Sequence, residues 1–538
     1  MEKTDSFKRQ EEEYRRKTRR RFIIIALSSV LLLLLVIGSV VVPVTNSASS
    51  SSNEKQSIES VCNVTLYQES CYSSIFALKQ STKTSNSNPD TPKQIFMLSL
   101  QVALNELTAL KSSTFRGNGS TYKALDVCSR LVEDAADHVN MSASSLSNSD
   151  SIHWAEDVRT WLSTAITDQQ TCLEALTNES ATEIRASMAN AAVFTSNSLA
   201  IVSKIPALIQ GRRNKRAVQS VGVEMADLRP NLTVAKDGSG NYKTITEAVN
   251  AMPKRSKRRF YIYVKRGEYN ENVVVGKDSW NLIMYGDGAE KTVVSSNLNI
   301  VDGVSTYDSG TLIAEGRGFV ARDMGFKNTA GPEKFQAVAV RSSADHSIFY
   351  RCHMEGYQDT LFTHSNRQFY RECVIRGTID FIFGNAAAVF QNCSIEARQP
   401  MKGQYNTMTA QSKSDPNQNT GFSIQRCSIG PQGNLTARTY LGRPWRVYST
   451  TVVLETGMEG IIDPEGWTVW EPATQAPDSI FYAEYKNNGP GSGLSGRVTW
   501  PGYKPEIKDE EAQQFSVQNF IQGNQWIDGL NIGYDPHI

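Results

Sequence analysis

A chain of 538 residues is too long for one ordinary compact core, so several domains or one elongated fold are expected. Its composition, with 40% hydrophobic and 21% charged residues, is that of a globular protein rather than a disordered one. A formal net charge of only +1 argues against a nucleic-acid binder.

The excess positive charge sits at the start of the chain. Residues 1–21 hold nine Lys/Arg against five Asp/Glu, whereas residues 217–538 hold 32 basic and 34 acidic groups. This basic tail runs into residues 22–44, "FIIIALSSVLLLLLVIGSVVVPV", which carry no charge and are long enough to cross a bilayer as a helix. The basic flank would stay cytoplasmic. A cleaved secretory signal has a shorter apolar region of about 7–15 residues, so a transmembrane signal-anchor is expected in preference to a long cleaved signal. Either route takes the rest of the chain into the secretory pathway, to a membrane first and then to secretion. The eight cysteines form an even set, permissible as disulfides in an oxidising compartment. Sequons at Asn63, Asn118, Asn140, Asn178, Asn231 and Asn434 are candidate glycosylation sites.

Residues 45–59 read as a Ser-rich linker. From 60 to 207 the apolar period is helical. "IFMLSLQVALNELTAL" places Phe96, Leu100, Ala103, Leu107 and Leu110 on one face, and "WAEDVRTWLSTAITDQQTCLEAL" does the same with Trp154, Val158, Trp161, Ala165, Cys172 and Leu176. Helices with one apolar stripe must bury it on each other, which predicts an all-α bundle of about four. Cys62 and Cys71 are placed to staple an N-terminal hairpin, and Cys128 and Cys172 to join two helices. Residues 208–220 contain "GRRNKRAVQS", four basic residues within five; this looks like an exposed processing linker, with Arg213 and Arg216 as the points of cleavage.

Beyond 221 the texture changes to short apolar runs broken by Gly, Asn and Asp, as strands require. "IFYRCHMEG", "QFYRECVIRG", "VFQNCSIEA" and "FSIQRCSIG" share an aromatic, then Cys, then an apolar residue two further on. Their first three cysteines, Cys352, Cys373 and Cys393, are spaced by 21 and 20, and Cys427 follows 34 later, so a loop must bulge there. One strand-rich unit every twenty or so residues, stacked on its neighbour, is a parallel β-helix. The domain 221–538 is therefore expected to be all-β.

In such a coil, residues one repeat apart lie on adjacent rungs, about 4.7–4.9 Å apart. Asp359 and Asp380 differ by 21, and Gln336 precedes Gln358 by 22. The spacing predicts a ladder on one face: Gln336, then Gln358 with Asp359, then Asp380. Two neighbouring carboxyl groups cannot both ionise comfortably, so one remains an acid and the other a carboxylate. That division suits a general acid beside a nucleophile, with an adjacent amide to stabilise an oxyanion. The plain alternative is that the aspartates are polar ladder residues capping turns. His346, His353 and His364 lie near in sequence and are read as surface or packing residues. No close Cys/His cluster suits zinc, so a metal-free site without cofactor is expected. The basic run "MPKRSKRRF" (252–260) reads as a solvated loop, with attraction to an acidic polymer as the alternative.

At these residues the chain resembles the pectin methylesterase (pectinesterase) family, of the plant type with an N-terminal inhibitor-like domain. The carrying segments are "GEYNE" (267–271), "QAVAV" (336–340), "YQDTL" (357–361), "DFIFG" (380–384) and "LGRPW" (441–445). The four-cysteine pattern of the helical half resembles the pectin methylesterase inhibitors. The resemblance implies a right-handed parallel β-helix acting on methylated homogalacturonan in cell-wall pectin and releasing methanol. It implies Asp380 as nucleophile, Asp359 as acid and then base, Gln358 as oxyanion donor supported by Gln336, and Arg443 as the residue holding Asp380. It further implies Trp445 as a sugar-stacking wall, Thr306 as a substrate contact, and a Cys373–Cys393 disulfide; adjacent rungs leave Cys352–Cys373 equally open on geometry. Phe381, Phe383 and Tyr357 are candidates to line the groove. The helical domain would cover that groove until a processing protease cuts the linker, and separate pectinesterase inhibitor proteins are a further implied partner. A polygalacturonase or a pectate lyase on the same β-helix is the competing enzyme reading, and a non-catalytic inhibitor or wall-binding protein the competing class.

Overall fold

A computed structural model describes residues 55–82, 91–113, 120–147, 154–176, 182–205 and 229–538. The N-terminal part is helical: α1 Gln68–Thr82, α2 Pro92–Ser113, α3 Ser120–Ser147, α4 Trp154–Ala175 and α5 Thr182–Lys204. Helices α2 to α5 close a ring, α2 on α3, α3 on α4, α4 on α5 and α5 back on α2, with α1 against α2 and α5. The stripes expected from the sequence are the buried ones: Phe96, Leu100, Ala103 and Leu107 of α2 meet Val158, Leu162 and Ala165 of α4 in one apolar cluster. Two disulfides fix this body, Cys62–Cys71 beside α1 and Cys128–Cys172 between α3 and α4.

Residues 229–538 wind into a parallel β-helix of three sheets, with 11, 8 and 7 strands. One rung is Leu361–Thr363, Arg367–Arg371 and Val374–Gly377; the next is Ile379–Gly384, Ala387–Gln391 and Ser394–Ala397. Every pairing is parallel, and His353, Val374, Ser394 and Ser428 stack in register, so the four preceding cysteines form one column. The corner before each cysteine is turned by one residue of left-handed backbone: Arg351, Glu372, Asn392 and Arg426, with φ between 50 and 55°. The interior is a continuous apolar column that includes Leu361, Ile382, Phe381 and Phe390. Gly384 (φ 121°) closes the strand Ile379–Gly384 where a Cβ would stand 2.2 Å from the Thr363 carbonyl oxygen, so only glycine fits.

Two expectations are corrected. The cysteine column holds free thiols: Cys352, Cys373, Cys393 and Cys427 are all buried and unbridged, so the Cys373–Cys393 disulfide is not made. The thiols are directed to backbone carbonyls instead: Cys373 Sγ donates to Phe349 O at 3.2 Å, Cys393 Sγ to Tyr370 O at 3.5 Å and Cys427 Sγ to Gln425 O at 3.3 Å. The membrane anchor is also withdrawn. Among the described residues no helix is long and apolar enough to cross a membrane; the span at 22–44 lies outside them, as do the tail 1–21 and the linker 208–220.

Candidate active site

The seven-stranded sheet presents the site. Its outward column runs Val274, Ile313, Arg341, Phe362, Phe383 and Ala410, one residue per rung. At one edge of this column, strand pairing places Asp359 beside the next rung: its N–H donates to the Ile379 carbonyl at 3.0 Å, and the Thr378 N–H donates to the Tyr357 carbonyl at 2.9 Å. The Ala337 N–H likewise donates to the Gln358 carbonyl. Gln336, Gln358, Asp359 and Asp380 thereby line a single chamber, together with Thr306, Phe383, Arg443 and Trp445. Phe381 instead points into the core, and Tyr357 is covered by the Arg398 guanidinium, 3.9 Å from its ring centre.

Both aspartates adopt left-handed backbone, Asp359 at φ 66° and Asp380 at φ 51°. Such conformations cost about 1–3 kcal/mol each and concentrate at functional sites. Asp380 is held on every side. Arg443 Nε donates to Oδ1 at 2.9 Å and Nη2 to Oδ2 at 2.6 Å. The Thr407 hydroxyl donates to Oδ1 at 2.6 Å while accepting the Asp380 backbone N–H at 2.9 Å. A carboxylate so gripped is fixed in its orientation. Asp359 has the opposite environment. Burial, and then the charge of Asp380, push its carboxyl well above the usual range, and Arg443 only partly offsets them. The two carboxyl groups are therefore set unequally, Asp380 paired with Arg443 and Thr407 and Asp359 buried and raised.

Two contributors were not foreseen. Thr407 lies 27 residues after Asp380, outside the 20–21 period, because residues 398–405 loop out between the strands Ser394–Ala397 and Asn406–Gln411. Trp470 stacks on Trp445 at 5.9 Å and lies under the Arg443 guanidinium, 4.2 Å from the ring centre. It stands outside any strand, so no periodic signal marks it. The sequence offered only its proximity to "LGRPW".

The helices lie across this chamber. Arg130 of α3 donates to both Asp308 carboxylate oxygens at 2.9 Å, and Lys123 Nζ donates to the Gly303 carbonyl at 3.0 Å. On the other side Thr171 of α4 meets His364 Nε2 at 3.0 Å, Thr167 accepts from Asn385 Nδ2 at 2.9 Å, and Glu174 pairs with Arg446. Further out, Lys277 binds Asp134 and Asp137 at 3.1 and 3.0 Å, and Asp157 accepts from buried Arg367 at 2.8 Å. Tyr307, Val338, Phe362, Phe383 and Ala410 of the β-helix join the same apolar cluster as the bundle core.

His364 is thus a buried docking contact. His346 stacks on Trp526 at 4.9 Å, away from the chamber, and His353 lies in a strand of the eight-stranded sheet. The basic run is tied down locally, with Arg255 on Asp278 at 2.7 Å and Arg259 on the Gly529 carbonyl at 2.6 Å. Asn63, Asn140, Asn231 and Asn434 are exposed, whereas Asn118, Asn178, Arg213 and Arg216 fall outside the described residues.

Comparison with known proteins gives two family matches in chain order. Residues 56–201 match the plant invertase/pectin methylesterase inhibitor family, and residues 231–524 match the pectinesterase family. Pectinesterase 3 of Phaseolus vulgaris is 46% identical over 519 residues, covering 90% of this chain and 87% of that protein. The probable pectinesterase/pectinesterase inhibitor 46 of Arabidopsis thaliana is 42% identical over 508 residues, covering 89% and 88%. Among solved structures, the pectin methylesterase from carrot superposes with a TM-score of 0.57 at 48% identity, over 59% of this chain and 100% of that one.

Proposed function

Because the chain belongs to the pectinesterase family, we propose that Asp380 and Asp359 are its catalytic pair and that its helical domain holds the enzyme covered. The activity is that of a carboxylic ester hydrolase removing methyl esters from pectin.

The Asp380 carboxylate attacks the methyl-ester carbonyl of a galacturonate unit. Charge grows on the carbonyl oxygen, where the Gln358 amide donates, with Gln336 alongside. Collapse of this intermediate expels methoxide, which takes the Asp359 proton and leaves as methanol. Asp380 is then joined to the sugar as an acyl anhydride. Asp359, now a carboxylate, removes a proton from water; the hydroxide attacks the anhydride, frees the galacturonate and restores both aspartates. Arg443 and Thr407 keep Asp380 charged and aimed. Trp445, backed by Trp470, offers a flat wall to the apolar face of the sugar, and Thr306 lies where substrate would pass. The observation that carries this reading is the unequal setting of the two carboxyl groups, one clamped by Arg443 and the other buried without a cation of its own.

The covering role rests on the helices bridging the groove from Asp308 to Arg446. Cleavage by a processing protease near Arg213 or Arg216 would release them, and separate inhibitor proteins of the same helical type would dock on the same face. Treating esterified pectin with a fragment starting at Ala217 and with the uncut chain tests both parts. Methanol without new reducing ends or unsaturated products supports the esterase, and faster release by the fragment supports the cover. Equal rates per folded molecule would remove the covering role.

A further inference from the structure

The helices do not plug the site they cross. Between α3, α4 and the β-helix stands a cavity of about 1210 Å³, floored by Asp359, Asp380, Gln358 and Arg443 and roofed by Val127, Thr171 and Leu176. A volume of about 300–1,000 Å³ is enough to enclose most of a drug-sized molecule. One or two methylated galacturonate units therefore fit beneath the roof. A polymer does not, because a chain crossing several rungs must displace ties on both walls: Lys123 and Arg130 at Gly303 and Asp308, and Thr171, Thr167 and Glu174 at His364, Asn385 and Arg446. Exposed Ile300 and Lys123 mark where the cavity meets solvent.

We propose that the covered, uncut chain is not inactive but size-selective, hydrolysing methyl esters of one- and two-unit galacturonates while excluding polymeric pectin. This rests on the catalytic reading of Asp359 and Asp380 given above. Among the described residues no hydrogen bond or ion pair joins the helices to Arg443 or Thr407, and the clamp on Asp380 is complete while the helices are in place.

The test measures methanol released from fully methylated digalacturonate and from polymeric pectin by the full chain in two states. The covered state is the uncut chain. The opened state is produced independently by the double variant Arg130→Glu/Asp157→Arg, with both changes on the helices, and by protease cleavage of the linker. The expected result is a dimer rate within about twofold in the two states and a polymer rate at least about tenfold lower when covered. Loss of dimer hydrolysis on covering, in parallel with polymer, overturns the chamber and leaves the aspartate site standing. Equal polymer rates in both states, or dimer hydrolysis by no form, overturn size selection. No hydrolysis of either substrate by any form removes the aspartate reading itself.

Discussion

Arg443 grips Asp380 with two nearly parallel bonds, Nε to Oδ1 at 2.9 Å and Nη2 to Oδ2 at 2.6 Å. Both partners are largely withdrawn from water, with 14% and 6% of their side-chain surfaces exposed, so the grip works at low dielectric. Only a planar guanidinium can make both bonds at once. Arg443→Lys keeps the charge but halves the contact. We expect kcat for methanol release to fall at least about tenfold with KM little changed, measured on the fragment starting at Ala217. An unchanged kcat would show that charge alone is enough.

Thr407→Val removes a hydroxyl that both donates to Asp380 Oδ1 and accepts the Asp380 N–H. The variant leaves a buried N–H unpartnered, which costs about 1–3 kcal/mol of stability. The expected signature is a lower melting temperature together with reduced kcat, and Thr407→Ser should recover both. Failure of serine to recover kcat would assign the effect to packing of the methyl group.

Asp359 makes stability depend on pH. Burial, followed by the Asp380 charge, raises its folded value above the unfolded one. The contribution to stability is therefore complete below the unfolded value, about 3.9, and is lost as pH rises through the raised folded value. Urea unfolding of the uncut chain should show stability declining over that window, and Asp359→Asn should lose that part of the decline. Superimposable profiles would place the ionisation elsewhere.

Arg367 tests the docking face. It is 1% exposed and holds Asp345 at 2.7 Å and Asp157 of α4 at 2.8 Å. Burial pushes Asp345 upward, but Arg367, together with His346 and Arg317, outweighs it and holds that carboxyl below its usual range. Arg367→Ala strands two carboxylates and should cost about 3–5 kcal/mol in the uncut chain. Asp157→Asn leaves the Arg367–Asp345 pair whole and should cost clearly less while loosening α4. Equal losses would mean that the interdomain bond dominates.

Much of the site was legible because stacking converts sequence distance into spatial distance. Gln336, Gln358, Asp359 and Asp380 recur at 21 to 22 residues and meet on one face. Arg443 was reached only through resemblance, since it lies 63 residues past Asp380 and the intervening loops scramble the period. Thr407 was hidden by the loop at 398–405, and Trp470 by its place outside the strands. The cysteines show the limit of the repeat. It placed Cys352, Cys373, Cys393 and Cys427 in one column, yet a column does not say which neighbours bond, and none do. The docking of the helices on the β-helix was not readable as a geometry, because Arg130–Asp308 and Thr171–His364 join positions 178 and 193 residues apart.

Asp380→Asn in the fragment starting at Ala217 asks whether Asp380 is the attacking group, because the amide retains the shape but not the nucleophilic charge. With circular dichroism and pectin binding unchanged, methanol release should fall by at least about 10⁴-fold. Release within about tenfold of the wild type, in a folded variant that still binds pectin, would contradict that role.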